Sequence, residues 1–152
     1  MKVYELLNHI ETFAPLPLAE DWDNPGLIAG SYEAEISKIA VCLDAVPEAV
    51  IKASEKNCNV LFCHHPLIFR PVKKIILDSE QGRTIGEAIK RNVNILAAHT
   101  NWDKADDGVN TQLAKSLGLE KCENLDSFGI FGILPEKMSL KNFLEHVKTS
   151  WN

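Results

Sequence analysis

The sequence predicts an α/β fold with a parallel or mostly parallel sheet. Three runs of residues are continuously apolar after a polar first residue, rather than alternating, which is typical of strands covered on both faces. They are residues 38–43, 59–63 and 94–98. A segment with helical spacing follows each run, and strands that alternate with helices favour right-handed parallel crossovers. The runs lead into Asp44, His64 and His99, so these side chains are expected at one edge of the sheet, where α/β proteins bind ligands.

The chain begins with a predicted amphipathic helix. Apolar residues recur at helical spacing from Val3 to Phe13, and Pro15 and Pro17 end the pattern. We expect the apolar stripe of this helix to pack on the sheet. Residues 20–30 are rich in Asp, Asn, Pro and Gly, which predicts a loop before the first strand.

Later helices are predicted after each strand. One begins near Pro47, a residue suited to the first helical turn. The others lie near residues 80–91 and 108–117, and Gly118 closes the last of them.

The end of the chain reads as another strand and helix. Residues 130–134 are apolar, and a helical pattern starts at Ser139. The sequence therefore predicts a metal-binding α/β domain over 1–126 and the start of a second, truncated strand–helix unit over 127–152. We expect an apolar edge near Phe128, Phe131 and Trp151 in this unit.

Composition restricts the class of protein. At 152 residues, with 45% hydrophobic and 24% charged residues, the chain can bury an ordinary core. The net charge is −5 and no basic block occurs, which argues against a nucleic-acid surface but leaves room for a small anionic ligand. The four cysteines form no Cys-x-x-Cys pair, and no apolar stretch is long enough for a signal core or a membrane span. We therefore expect a cytoplasmic protein without a membrane segment.

His64 and His65 are the strongest candidates for a metal site. They stand together at the end of an apolar run, and Pro66 holds His65 extended and begins a turn. Clustered imidazoles suit divalent metals. The alternative is a pair of core histidines with hydrogen-bond partners, which is the more common role of a single histidine.

Two aspartates are further candidates. Asp103 is the first acidic residue in the polar stretch that follows His99, so it lies nearest the sheet edge. Asp44 follows its own strand and either orients a ligand or caps the next helix, and the sequence leaves both roles open. The sequence has neither a phosphate-binding glycine loop nor a nucleophile elbow.

Three motifs, which occur in the right order and spacing along the chain, resemble those of the Nif-three-like family of dinuclear-metal proteins, known as GTP cyclohydrolase I type 2 homologues. They run from Glu20 to Leu27, from Cys63 to Phe69 and from Ala98 to Asn110, and together they cover nearly the whole chain. Family members typically read Trp-Asp-Asn-Val-Gly where this chain has Pro25. The resemblance implies a three-layer α/β sandwich with a mostly parallel or mixed sheet and helices on both faces, C-terminally incomplete here.

The resemblance also assigns site residues. It implies metal-ligand histidines at His64 and His65, a metal-ligand aspartate at Asp103, and two divalent metals per complete site, with Zn, Fe, Mn, Ni and Mg all open. Further family ligands come from a C-terminal His-x-x-x-Glu motif, whereas here His146 is followed four residues later by Ser150. Three ligands cannot fill two metal centres. The chain is therefore a fragment, is completed by another polypeptide, or has a decayed site, and weak or substoichiometric metal binding is expected of it alone.

The implied function is that of a metal-dependent hydrolase. In a GTP cyclohydrolase I type 2-like reaction, a water activated by a divalent metal attacks the purine ring and releases formate. The resemblance further implies a homo-oligomer, commonly a toroidal hexamer, with a small anionic or nucleotide ligand. Two alternatives remain: a non-catalytic metal-binding ring scaffold or regulatory partner, and a two-metal phosphoesterase.

Overall fold

The computed structural model describes residues 1–126 and 128–151. In these residues the helices are α1 (Val3–Ile10), α2 (Pro47–Glu55), α3 (Glu80–Lys90), α4 (Thr100–Asp103), α5 (Val109–Ser116) and α6 (Leu140–Ser150). The strands are β1 (Gly26–Ala29), β2 (Ile39–Asp44), β3 (Val60–His65), β4 (Asn94–Ala97), β5 (Glu120–Asn124) and β6 (Ile130–Ile133). The chain divides into two compact units, Met1–Trp102 and Asp103–Asn152.

A mixed four-stranded sheet forms the centre of the first unit. Its strand order is β1-β4-β3-β2, with β2, β3 and β4 parallel and β1 antiparallel to β4. The parallel register pairs Cys42 with Cys63 and Cys63 with Ala97. The predicted α/β class with a mixed sheet is therefore confirmed.

Helices cover both faces of this sheet. On one face, α2 and α3 pack on Leu61, Cys63 and Ile95. On the other face, α1 packs on the alternate residues Phe62 and Leu96. Each central strand thus buries both of its faces, which is why its sequence is continuously apolar. The three-layer arrangement implied by the family resemblance is confirmed.

Two predicted boundaries in the first 30 residues were wrong. The interval 20–30 is not wholly loop, because Gly26–Ala29 forms β1. This strand is apolar, but it has only four half-buried residues inside a segment rich in Asp, Asn and Pro, so its antiparallel pairing with β4 defines it. Helix α1 ends at Ile10 instead of continuing to Phe13, whose side chain is exposed.

Strand β2 leaves part of one sheet face uncovered in the first unit. Its alternate residues Ala40 and Cys42 pack against the α2–α3 side. Val41 and Leu43 point to the opposite side and are 72% and 61% exposed. β2 is an edge strand of the four-stranded sheet, and this apolar part of its surface is exposed to solvent.

The second unit contains a hairpin and the helices α5 and α6. β5 and β6 pair antiparallel, as a separate two-stranded sheet. Helix α6 is joined to the end of α5 by hydrogen bonds, since the ring of His146 contacts the Leu117 carbonyl at 2.9 Å and Trp151 Nε1 donates to Ser116 Oγ at 2.7 Å. The strand predicted at 130–134 and the helix predicted from Ser139 are both present. β5 was not predicted, because all of its residues are exposed and it carries no apolar alternation.

The aromatic residues expected at an apolar edge of this unit are exposed. The exposed fractions are 40% for Phe128, 48% for Phe131 and 52% for Trp151.

Among the described residues, no helix combines the length and apolarity needed to cross a bilayer.

The start of α3 provides a stability prediction. A Cβ atom at Gly82 would collide with the backbone carbonyl of Ile76, whereas one at Gly86 would meet only a terminal methyl of Leu77 at 2.8 Å. Gly82→Ala should therefore lower the free energy of unfolding by about 1–3 kcal/mol, despite the higher helix propensity of alanine. Gly86→Ala is the matched control and should be neutral or stabilising. Urea unfolding of both variants checks this, and equal stability would contradict it.

Candidate metal centre

Three histidines converge at the carboxyl edge of the sheet in the first unit. One ring nitrogen from each of His64, His65 and His99 lies within 4.8 Å of the others. The ring centroids are 4.9 Å apart for His64 and His65, 5.1 Å for His64 and His99, and 5.6 Å for His65 and His99. The cluster can accept a metal ion.

Parallel strands bring these residues together. β3 continues to His65, two residues beyond the predicted strand end, and β4 lies beside it and ends two residues before His99. Consecutive strand residues usually face opposite sides of a sheet, but the rings of His64 and His65 meet because the strand stops there and Pro66 follows. The predicted convergence of Asp44, His64 and His99 at one edge is confirmed.

Each of the three rings is held through Nδ1. His64 Nδ1 contacts the Ala98 carbonyl at 3.1 Å, His65 Nδ1 contacts Asp44 Oδ1 at 2.7 Å, and His99 Nδ1 contacts Asp23 Oδ1 at 2.9 Å. Because these oxygens only accept hydrogen bonds, Nδ1 must be the donor in each pair. In a neutral imidazole this leaves the lone pair on Nε2, which is the tautomer that suits metal coordination.

Asp23 is the principal support of His99. Its carboxylate is fully buried and accepts hydrogen bonds from the His99 ring, from the Thr100 amide at 3.0 Å, from the Thr100 hydroxyl and from the Asn24 amide at 2.7 Å. Burial alone would raise the pKa of Asp23, but these hydrogen bonds outweigh it and lower the pKa below its ordinary value. Asp23 is therefore an ionised acceptor in the interior.

Sequence reasoning did not single out Asp23 as a site residue. It lies 76 residues before His99, in a segment assigned to a loop. The signal that could have found it was its place in the Trp-Asp-Asn motif that carried part of the family resemblance.

Asp44, whose role the sequence left open, contacts the ring of His65 and does not cap the next helix. Its carboxylate contacts His65, its partner in the parallel register of β2 and β3. The N-cap of α2 is Val46, without a side-chain cap. Both Asp44 and His65 are about half exposed, so solvent weakens this hydrogen bond.

Asp103 is the last residue of α4 and the first residue of the second unit. Its backbone carbonyl accepts a hydrogen bond from Asn110 Nδ2 at 3.0 Å. Its role as a metal ligand stays a prediction.

The donor chemistry of the cluster fits a divalent metal. Imidazole nitrogen binds Zn, Fe and Ni well, and a carboxylate on the far nitrogen raises ligand basicity. Three donors also leave coordination positions for water or substrate, as catalytic sites require. The residues present therefore fit the type of ion that the sequence led us to expect, and a histidine cluster able to bind a metal is a feature of the structure.

Cys63, directly before His64, is a core residue rather than a ligand. Its side chain is buried, and its thiol lies 3.2 Å from both the His65 and Leu96 carbonyls. Burial, with smaller effects from Cys42 and Asp44, raises the pKa of Cys63 to about 12. We expect iodoacetamide at pH 8 to modify the exposed Cys122 and to leave Cys63 unmodified in the folded protein. Peptide mapping by mass spectrometry checks this, and equal labelling of the two would contradict it.

The whole chain matches a known family. The family model described as Duf34/NIF3 (NGG1p interacting factor 3) matches residues 1–152. A Clostridium acetobutylicum protein named GTP cyclohydrolase 1 type 2 homolog is 38% identical, over 99% of this chain and 60% of its own length. A Staphylococcus epidermidis protein of the same name is 37% identical, over 100% of this chain and 41% of its own length. The chain thus spans about 40–60% of the length of these curated relatives.

Solved structures show the same fold. Staphylococcus aureus protein SA1388 superimposes with a TM-score of 0.91 at 25% identity, over 99% of this chain and 65% of that one. Reduced HcgD from Methanocaldococcus jannaschii gives a TM-score of 0.85 at 34% identity, over 98% and 60%. A Bacillus cereus protein related to NIF3 gives 0.79 at 38% identity, over 83% and 35%.

Proposed function

The chain belongs to the Duf34/NIF3 family. On this basis we propose that it carries the histidine ligands of the metal site of a hydrolase. The reaction proposed is the GTP cyclohydrolase 1 type 2 kind, in which the purine ring is opened and formate is released. Relatives with that name support the assignment. The chain spans only part of their length, so the activity of the whole protein is a proposal here.

One observation carries the proposal. Three imidazole donors lie within 4.8 Å of one another, and each ring is fixed by an oxygen acceptor at Nδ1. An oriented cluster of this kind loses little conformational freedom when it binds a cation. Core histidines with satisfied hydrogen bonds would not need to bring three donor atoms to one point at a sheet edge.

We propose a separate role for each group of residues at the site. His64, His65 and His99 would hold the metal, and Asp103 is the further ligand that the family resemblance predicts. When bound, a divalent metal supplies Lewis acidity that activates water and polarises the substrate. Asp23 keeps His99 oriented from the interior, and Asp44 holds His65 from the solvent side.

Metal binding and turnover test the proposal together. Isothermal titration with ZnCl₂ and elemental analysis after dialysis report binding by the 152-residue chain. Incubation with GTP, with formate measured, reports ring opening, and p-nitrophenyl phosphate reports phosphoester hydrolysis. Zinc binding with formate release supports the proposal. Phosphate release without formate favours a phosphoesterase. Zinc binding without release of either product favours a scaffold.

We also propose that the chain assembles into a homo-oligomer, with a toroidal hexamer as the form to test. The exposed apolar residues Val41 and Leu43 support a partner at this edge of the first unit, because uncovered strands of this kind associate readily. Light scattering at micromolar concentration checks it. A stable monomer would overturn this part of the proposal.

A further inference from the structure

Two exposed aromatic side chains stand beside the histidine cluster. Trp22 is 54% exposed and Phe69 is 42% exposed. Their ring centroids are 5.5 Å apart, and they lie 6.4 Å and 6.2 Å from the ring of His99. The two rings are tilted by 55° rather than stacked on each other, so ring surface on both remains open.

The loops that carry these rings are fixed to each other. Asn24 Nδ2 donates to the Ile68 carbonyl at 2.6 Å, which joins the segment after Trp22 to the segment before Phe69. Asp23, next to Trp22, is buried and bonded to His99. The aromatic pair therefore has a defined position relative to the candidate metal ligands.

Exposure of these rings contrasts with the aromatic residues of the core. Phe62 is 9% exposed and stacks on Trp102 at 5.5 Å. Trp22 and Phe69 instead leave about half of their side chains in water, although burying a large aromatic side chain gains about 1.5–3 kcal/mol. Exposed aromatic rings beside a group of metal-type ligands are typical of surfaces that recognise planar ligands.

The segment after Phe69 is positively charged in an otherwise acidic chain. Arg70, Lys73 and Lys74 are exposed and follow within five residues, whereas the whole chain has a net charge of −5. A cationic segment next to aromatic rings suits a ligand that combines a planar ring with negative charge.

We propose that Trp22 and Phe69 form a stacking surface for the heteroaromatic ring of a free nucleotide. The phosphates of this ligand would face the cationic segment 70–74. The ring would then lie next to His99, one of the residues that would hold the metal. This inference rests on the proposed function, because it supplies the ring recognition that ring opening needs.

The test compares GTP with inorganic triphosphate, which has the charge but no ring. Both are titrated calorimetrically into the wild-type chain and into Trp22→Ala, Phe69→Ala and Trp22→Leu, with and without zinc. The leucine variant keeps apolar bulk without an aromatic face, and circular dichroism monitors folding. Tyr32→Ala is the matched control, since Tyr32 is 56% exposed in the same unit and outside the aromatic pair.

Each aromatic variant should weaken GTP binding roughly tenfold or more, within the range measured for loss of a stacked base. Triphosphate binding, zinc binding and the Tyr32→Ala control should stay unchanged. The inference would be overturned if the variants lost affinity for GTP and triphosphate equally, or if the folded variants bound GTP as the wild type does. It would also be overturned if the wild-type chain did not bind GTP. Absence of zinc binding with Trp22-dependent GTP binding would instead overturn the proposed function alone.

Discussion

Replacing His64, His65 or His99 with alanine is expected to lower the zinc affinity of the chain by at least about 100-fold. Loss of a residue that only supports a ligand costs roughly 10- to 100-fold, so loss of a ligand itself should cost no less. The three donor atoms lie within 4.8 Å of one another, and removal of any one leaves two.

Calorimetric titration with zinc measures this effect directly. A second measurement is the rise in melting temperature with zinc, since a ligand at 100 times its Kd stabilises the folded state by about 2.7 kcal/mol. The variants should lose this rise. His9→Ala is the control, because His9 is an exposed histidine of α1 outside the cluster. Wild-type affinity in any single cluster variant would show that its imidazole is not a ligand.

Asp23→Asn should have the second-largest effect, although Asp23 itself is not proposed to touch the metal. One carboxylate oxygen faces the His99 ring and the Asn24 amide, and the other faces the amide and hydroxyl of Thr100. Either orientation of an asparagine therefore sets its NH₂ group against backbone N–H donors. We expect a loss of about 1–3 kcal/mol in the free energy of unfolding.

The same substitution should weaken zinc binding by roughly 10- to 100-fold. Without the carboxylate, His99 is free to rotate or to place its proton on Nε2, which blocks coordination. Zinc titration and urea unfolding measure the two effects. Asp21→Asn, an exposed aspartate in the same segment, should change neither. Unaltered zinc affinity in Asp23→Asn would mean that the hydrogen bond to His99 does not orient a ligand.

The difference in stability between wild type and Asp23→Asn should depend on pH. The folded-state pKa of Asp23 lies below its ordinary value of about 3.9, so its stabilising effect is complete above that pH. It is lost as the pH falls through the lower, folded-state pKa. Urea unfolding at pH 7 and at acid pH checks this, and a constant difference would contradict it.

The sequence predicted the central strands because both faces of each are buried. Residues such as Leu61 and Ile95 pack on α2 and α3, and their neighbours Phe62 and Leu96 pack on α1, so no polar alternation interrupts the pattern. His64, His65 and His99 could be placed at one edge for the same reason, since parallel strands end together.

Other parts of the fold depend on interactions that local sequence does not encode. β1 is apolar, but it has only four half-buried residues inside a segment rich in Asp, Asn and Pro, and its pairing with β4 defines it. β5 consists only of exposed residues and exists through its pairing with β6. Asp23 acquires its role only when its loop reaches His99, a contact between distant parts of the chain. Periodicity can predict packing, but it cannot predict contacts of this kind.

The separation of Asp23 and His99 along the chain has a consequence for folding kinetics. The hydrogen bond that completes the support of His99 closes a loop of 76 residues, and β1 pairs with β4 across a similar distance. Contacts of such range form slowly, because chain entropy is lost before they contribute stability. During synthesis, the cluster can assemble only after residue 100 has left the ribosome. When the protein refolds, zinc affinity should therefore appear only after the whole sheet has closed, later than α2 and α3 form.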